Sequence, residues 1–135
     1  MSMRIQDKTK EIEKYLAEFS GIIPSDIEEY KKSIKTKAAC ERYFEKIAEA
    51  ITDLAFLIIK DKELRQPEDD KQSFDVLAEE NIIQKSLAEK LKDLKGMRNI
   101  IAHGYGKIDD EIVFHSITEE MEKDVNEFIL EIRKI

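Results

Sequence analysis

A chain of 135 residues is long enough to bury a real core as one domain (residues 1–135). Its 41% hydrophobic and 39% charged residues, interrupted by only four glycines and two prolines, favour long helices over a sandwich or barrel. A net charge of −7 argues against a generic polyanion binder, and a lone cysteine, Cys40, excludes an intrachain disulfide and a thiolate metal cluster. No apolar run is long enough to span a bilayer and the N-terminus lacks a signal-peptide core, so no membrane association is expected and the expected location is the cytoplasm.

The first helix is predicted from about Ser2 to Phe19, with Ile5, Ile12, Leu16 and Phe19 on one face and Ser20-Gly21 ending it. After Pro24, Ser25 or Asp26 can cap a short helix running to about Ser33. Residues 34–62 form the longest helix. Cys40, Phe44, Ile47, Ile51, Leu54 and Ile58 recur at alternating steps of four and three, and Ala48, Ala55 and Ile59 widen the stripe, so this helix faces more than one neighbour. Cys40 falls on that seam and reads as a buried small hydrophobe.

Residues 61–72 are polar, contain Pro67, and read as a loop and the best candidate for a mobile segment. Ser73 is the expected cap of a short helix carrying Phe74, Leu77 and Ala78 and ending near Asn81. A fifth helix starts at about Ile83, with Leu87, Leu91 and Leu94 inward. The run 107–115 reads as an extended excursion, with Asp109 in a turn and His115 an exposed bystander. Ser116 or Thr118 would then cap a last helix with Met121, Val125, Phe128, Ile132 and Ile135 on its apolar face. The fold class is therefore all-α, a single antiparallel bundle of about five to six helices.

The fifth helix leads into residues 96–109, where three features stand out. Arg98 occupies the next place on the seam of Leu87, Leu91 and Leu94, although arginine is rarely buried without a partner. Asn99 and His103 are four apart and share a face. Gly104 sits where a helix would close in the left-handed conformation, with Tyr105 placed to pack back on Ile100 or Ile101. Residues 82–107 carry Lys85, Lys90, Lys92, Lys95, Arg98 and Lys107 against Glu89 and Asp93, a net +4 that leaves −11 on the rest. A basic patch confined to one segment, with Lys95 and Lys107 flanking the motif, is what an acidic protein needs to touch RNA at one place.

The run Arg98-Asn99, three residues, His103-Gly104-Tyr105 and then Ile108-Asp109 resembles the signature of HEPN-domain proteins, and more narrowly of the HepT-like toxins. The helical pattern on either side fits that family across most of the chain. The resemblance implies a helical bundle that dimerises and a ribonuclease whose Arg98 and His103 are catalytic. It also implies a cognate minimal nucleotidyltransferase as antitoxin, transferring AMP to Tyr105. An added phosphate there would bring negative charge beside the Arg/His site and repel RNA.

The residues themselves allow that chemistry. There is no Walker loop, no Gly-x-Ser-x-Gly and no Cys/His cluster, and two histidines leave little material for a conventional hydrolytic metal site, so neither metal nor cofactor is expected. An arginine and a histidine suffice to drive attack of a 2′-hydroxyl on the adjacent phosphate, the imidazole moving protons and the guanidinium holding the developing charge. Asn99 suits orientation of His103 or of the backbone better than reaction.

One difficulty is geometric: five residues along an ideal helix place Arg98 and His103 roughly 140° apart. Either the helix unwinds after Ala102 or a second protomer completes the site, and a twofold dimer would supply both an acid and a base. The expectation is a homodimer with the motif at its interface. The alternative is a non-catalytic HEPN module, in which Arg98 and His103 bind a nucleotide or phosphate and the chain serves as partner or substrate of a nucleotidyltransferase.

Overall fold

The computed structural model describes residues 2–103 and 109–135, with every side chain among them except that of His103. Seven α-helical segments follow one another: α1 Met3–Ser20, α2 Ile27–Lys32, α3 Ile34–Asp61, α4 Asp70–Glu79, α5 Lys85–His103, α6 Asp110–His115 and α7 Met121–Ile132. A π-helical turn, Ser116–Glu120, fuses α6 to α7, so the described residues form six helical bodies and contain no strand.

The long helix α3 organises the rest. Cys40, Phe44, Ile47, Ile51, Leu54 and Ile58 are all fully buried, as are Ala48 and Ala55 on its flank. That widened stripe lets α3 pack against α1, α2, α4 and α5 at once. Each large apolar side chain taken fully out of water contributes about 1.5–3 kcal/mol, so this one seam supplies much of the drive to fold. Ile5, Ile12, Leu16 and Phe19 of α1 and Leu87, Leu91 and Leu94 of α5 join the same core, as the periodicity predicts. Burial pushes the Cys40 thiol up to about 11, in keeping with a packing role.

Caps set the helix starts. Ser2, Asp26, Ser33 and Asp69 each accept a hydrogen bond from the backbone N–H three residues on, satisfying one orphan donor of α1, α2, α3 and α4. Asp69 displaces the expected Ser73: α4 begins four residues earlier, and the Ser73 hydroxyl instead donates to the Asp70 carbonyl within the helix. The connection read as a 61–72 loop is correspondingly shorter and tied down. Pro67 is buried, Leu64 packs on the core, and Arg65 donates through Nε and Nη2 to the two Glu79 carboxylate oxygens at 3.0 and 2.8 Å.

Two helices close in the left-handed conformation on a residue other than glycine. Glu63 (φ 55°) closes α3, with Leu64 N–H donating to the Ile59 carbonyl and Glu63 N–H to the Lys60 carbonyl. Asn81 (φ 58°) closes α4 in the same way through Ile82 and Leu77. Both are Schellman ends whose next residue, Leu64 or Ile82, packs inward.

The C-terminal third corrects the sequence reading. Residues 110–115 are helical rather than extended, because the Asp109 side chain accepts from the N–H groups of Glu111 and Ile112 and caps α6. Tertiary contacts then hold it: Lys37–Asp110 (2.9 Å) and Lys31–Glu111 (3.1 Å) tie α6 to α3 and α2, and Phe114 packs on Tyr30 at 5.4 Å. The β-branched run Ile112-Val113 looked like a strand but is overridden by this packing. Neither Ser116 nor Thr118 caps a new helix; both lie in the π turn, and Thr118 Oγ1 donates to the Phe114 carbonyl at 2.7 Å. Met121, Val125, Phe128 and Ile132 are buried as expected, but Ile135 lies beyond α7 and is exposed. His115 is exposed.

Candidate active site

Three cations of α5 do not face solvent as a free patch. Lys92, Lys95 and Arg98 follow at steps of three along one side of the helix, and each meets carboxylates. Lys92 lies 3.2 Å from Asp75 of α4 and 3.4 Å from Glu89. Lys95 donates to Glu49 of α3 and lies 3.2 Å from Asp70 at the start of α4. Arg98 Nε lies 3.0 Å from the same Glu49 oxygen, Oε1. Three of the six cations counted in residues 82–107 are thus offset locally, by carboxylates from α3, α4 and α5 itself.

This explains the arginine on an apolar seam. Leu87, Leu91 and Leu94 bury fully or nearly so, whereas the Arg98 side chain remains 24% exposed and turns its Nε to a carboxylate across the bundle. A buried or half-buried guanidinium persists when it is paired in this way. Nε itself is buried and rests against Oε1 at ion-pair distance, without a well-directed hydrogen bond. Nη1 donates weakly to Asn99 Oδ1 at 3.5 Å, so Asn99 touches Arg98 among the described residues.

On its open side Arg98 lines a cleft of about 250 Å³ between α1, α3 and α5. The walls are charged on both signs: Glu45, Glu49 and Asp53 with Arg42 and Lys46 from α3, and Glu11 and Tyr15 from α1. Tyr15 donates to Glu11 at 2.9 Å, and Lys46 sits over the rings of Tyr15 and Tyr43 at 4.5 and 4.9 Å. The hydrogen bond from Lys8 holds the Glu11 carboxyl below its usual range, and Glu11 in turn raises the Tyr15 hydroxyl. Among the described residues no three His, Cys, Asp or Glu side chains gather as a metal site.

Of the residues singled out in the sequence, Arg98 lines the cleft and Asn99 touches Arg98 through Nη1. Lys95 does not serve as an exposed phosphate contact: it is 3% exposed and closed between Glu49 and Asp70. The backbone of α5 continues through His103, so helix unwinding directly after Ala102 does not occur. The side chain of His103 and residues Gly104, Tyr105 and Lys107 lie outside the described ones, as does the left-handed closure expected at Gly104. The residues missed in the sequence are Glu49 and Asp70. Their signal was faint: Glu45, Glu49 and Asp53 recur every four residues and form an acidic row beside the core face of α3.

A bundle of this kind with an arginine presented at its cleft, five residues before a helix-terminal histidine, defines a HEPN-type protein. The sequence model of the family described as "Ribonuclease HepT-like" matches residues 6–132, and the chain belongs to that family. It is 30% identical over 104 residues to the mRNA nuclease HepT of Shewanella oneidensis, covering 77% of each chain. Its structure resembles that of the tri-AMPylated HEPN toxin of Shewanella oneidensis in complex with MNT antitoxin, with a TM-score of 0.92, 27% identity and full coverage of both chains. A toxin–antitoxin structure with AMP-PNP matches with a TM-score of 0.88 and 26% identity over 97% of this chain and 98% of the other. No described helix is long and apolar enough to cross a membrane.

Proposed function

We propose that this chain is a metal-independent endoribonuclease, the toxin of a HEPN/MNT toxin–antitoxin pair acting in the cytoplasm. The observation that carries the reading is Arg98, held at the mouth of a cleft five residues before His103, in a chain that belongs to a ribonuclease family. His103 removes the proton of a 2′-hydroxyl, whose oxygen attacks the neighbouring phosphorus. A proton donor delivers a proton to the departing 5′-oxygen, leaving a 2′,3′-cyclic phosphate and a 5′-hydroxyl. Arg98 stabilises the charge on the pentacoordinate phosphorus, with Asn99 in support and Lys107 as a further phosphate contact.

The site is composite. The backbone of α5 is helical through His103, so positions 98 and 103 stand roughly 140° apart around its axis, which favours a site completed by a second protomer. A twofold homodimer with the motif at its interface brings a second His103 as acid to the first as base. The partner antitoxin is a minimal nucleotidyltransferase that attaches AMP to Tyr105, a reading supported by the similarity to a tri-AMPylated toxin. The purified chain should cleave RNA, Arg98→Ala should abolish cleavage, and light scattering should report a dimer; a monomer would remove the composite site.

A second reading has one observation in its favour. Glu49 already partners Arg98, and carboxylates crowd the cleft, as suits a non-catalytic module that a nucleotidyltransferase modifies. Intact RNA after incubation with unmodified protein, alongside AMP transfer to Tyr105, would select it.

A further inference from the structure

Arg98 enters the proposed chemistry as a fixed charge, and what fixes it lies in α3. Glu49 Oε1 is shared by two cations of α5, Lys95 below and Arg98 beside it. Lys95 is itself immobile, 3% exposed and held from its other side by Asp70 at 3.2 Å. Glu49 is therefore anchored at its carboxylate by a buried ammonium while its side chain, 43% exposed, lines the cleft. The guanidinium meets this anchored oxygen through Nε, which is buried and rests against it at ion-pair distance, 3.0 Å, without a directed hydrogen bond. A guanidinium paired at Nε has its rotation about the last bonds restricted, and its Nη atoms, of which Nη1 makes only a weak 3.5 Å contact to Asn99 Oδ1, remain to donate to a phosphate in two-pronged fashion.

We infer that Glu49 is the positioning residue of the catalytic arginine: anchored by Lys95, it holds Arg98 Nε and presents the Nη edge to the cleft. This rests on the ribonuclease reading above. The Glu49 carboxylate also sets the charge of the site, since Lys95, Arg98, Glu49 and Asp70 together cancel. Loss of Glu49 would free the arginine and leave the cleft more positive. Orientation and attraction would then move in opposite directions, which general loss of structure would not produce.

The test is steady-state cleavage of a defined RNA by Glu49→Ala, Glu49→Gln and Arg98→Ala beside wild type, with thermal unfolding of each. Misplacing a catalytic group by about 1 Å can lower turnover about 10²-fold. Glu49→Ala should lose about 10–100-fold in kcat with KM unchanged or lower, and Glu49→Gln, which keeps the acceptor oxygen, should recover part of it. Asp70 still faces Lys95 in both variants. The Nε–H resonance of Arg98 in ¹⁵N spectra reads the clamp without RNA: it should be rigid and slow to exchange in wild type, mobile in Glu49→Ala, and intermediate in Glu49→Gln. A kcat for Glu49→Ala within twofold of wild type overturns the proposal. So does a rise in KM that tracks lost stability with no recovery in Glu49→Gln, or an Nε–H signal indifferent to residue 49. Wild-type protein that leaves RNA intact overturns the ribonuclease reading instead, and the Nε–H signal still decides whether Glu49 holds Arg98.

Discussion

Lys95 of α5 and Asp70 of α4 lie 3.2 Å apart, and the lysine is nearly sealed from water. With Glu49 on its other side, this ammonium joins α3, α4 and α5, two of which frame the cleft. Replacement by methionine keeps the apolar stem but removes the charge both carboxylates face. Those carboxylates are half exposed, so water relieves part of the loss, and Lys95→Met should destabilise the protein by about 1–3 kcal/mol. Urea titration measures it; stability equal to wild type would show that the ion pairs add nothing to the fold.

Glu63 holds a left-handed backbone at the end of α3, where a side chain is strained and glycine is not. Among the described residues it makes no ion pair that the substitution would sacrifice. Glu63→Gly should therefore stabilise the protein by about 0.5–1 kcal/mol, against the usual penalty for introducing glycine. A lower melting temperature would contradict the assigned Schellman end.

Asp124 offers a pH test. It is 5% exposed, and burial is the main cause that raises its carboxyl above the usual aspartate range, helped by Glu120 and Glu127 and opposed by Lys90 and Lys123. A carboxyl whose folded value is raised supports the fold while protonated. That support is fully present below the unfolded value of about 3.9 and is lost as pH rises through the folded value. At neutral pH the ionised group works against the fold. Asp124→Asn should thus melt higher than wild type at pH 7, with the advantage shrinking on acidification and gone below about pH 3.9. A variant less stable than wild type at pH 7 would contradict it.

These cases show what sequence could and could not reveal. The alternating steps from Cys40 to Ile58 marked α3 because a helix buried on several faces leaves a wide periodic stripe. The start of α4 was misplaced because Asp69-Asp70 reads as loop until the Asp69 cap is seen. The extended excursion expected over 107–115 is not found for residues 110–115, where Ile112, Val113 and Phe114 follow β propensity while packing against α2 decides the conformation. In the site, Arg98 was legible as an oddity on an apolar seam, since spacing along one helix is local information. Its partner was not, because Glu49 meets it only once α3 and α5 pack. The same packing turned Lys95 from an exposed RNA contact into a buried anchor.

The account stands on cleavage by His103, and one measurement tests it most directly: digestion of total RNA by the purified protein in EDTA, wild type beside His103→Ala. Removing a general acid or base lowers a rate about 10²–10⁴-fold. Cleavage by wild type that persists in EDTA and falls by that factor in the variant is the predicted result. RNA left intact by unmodified wild type, or cut equally well by His103→Ala, would contradict it.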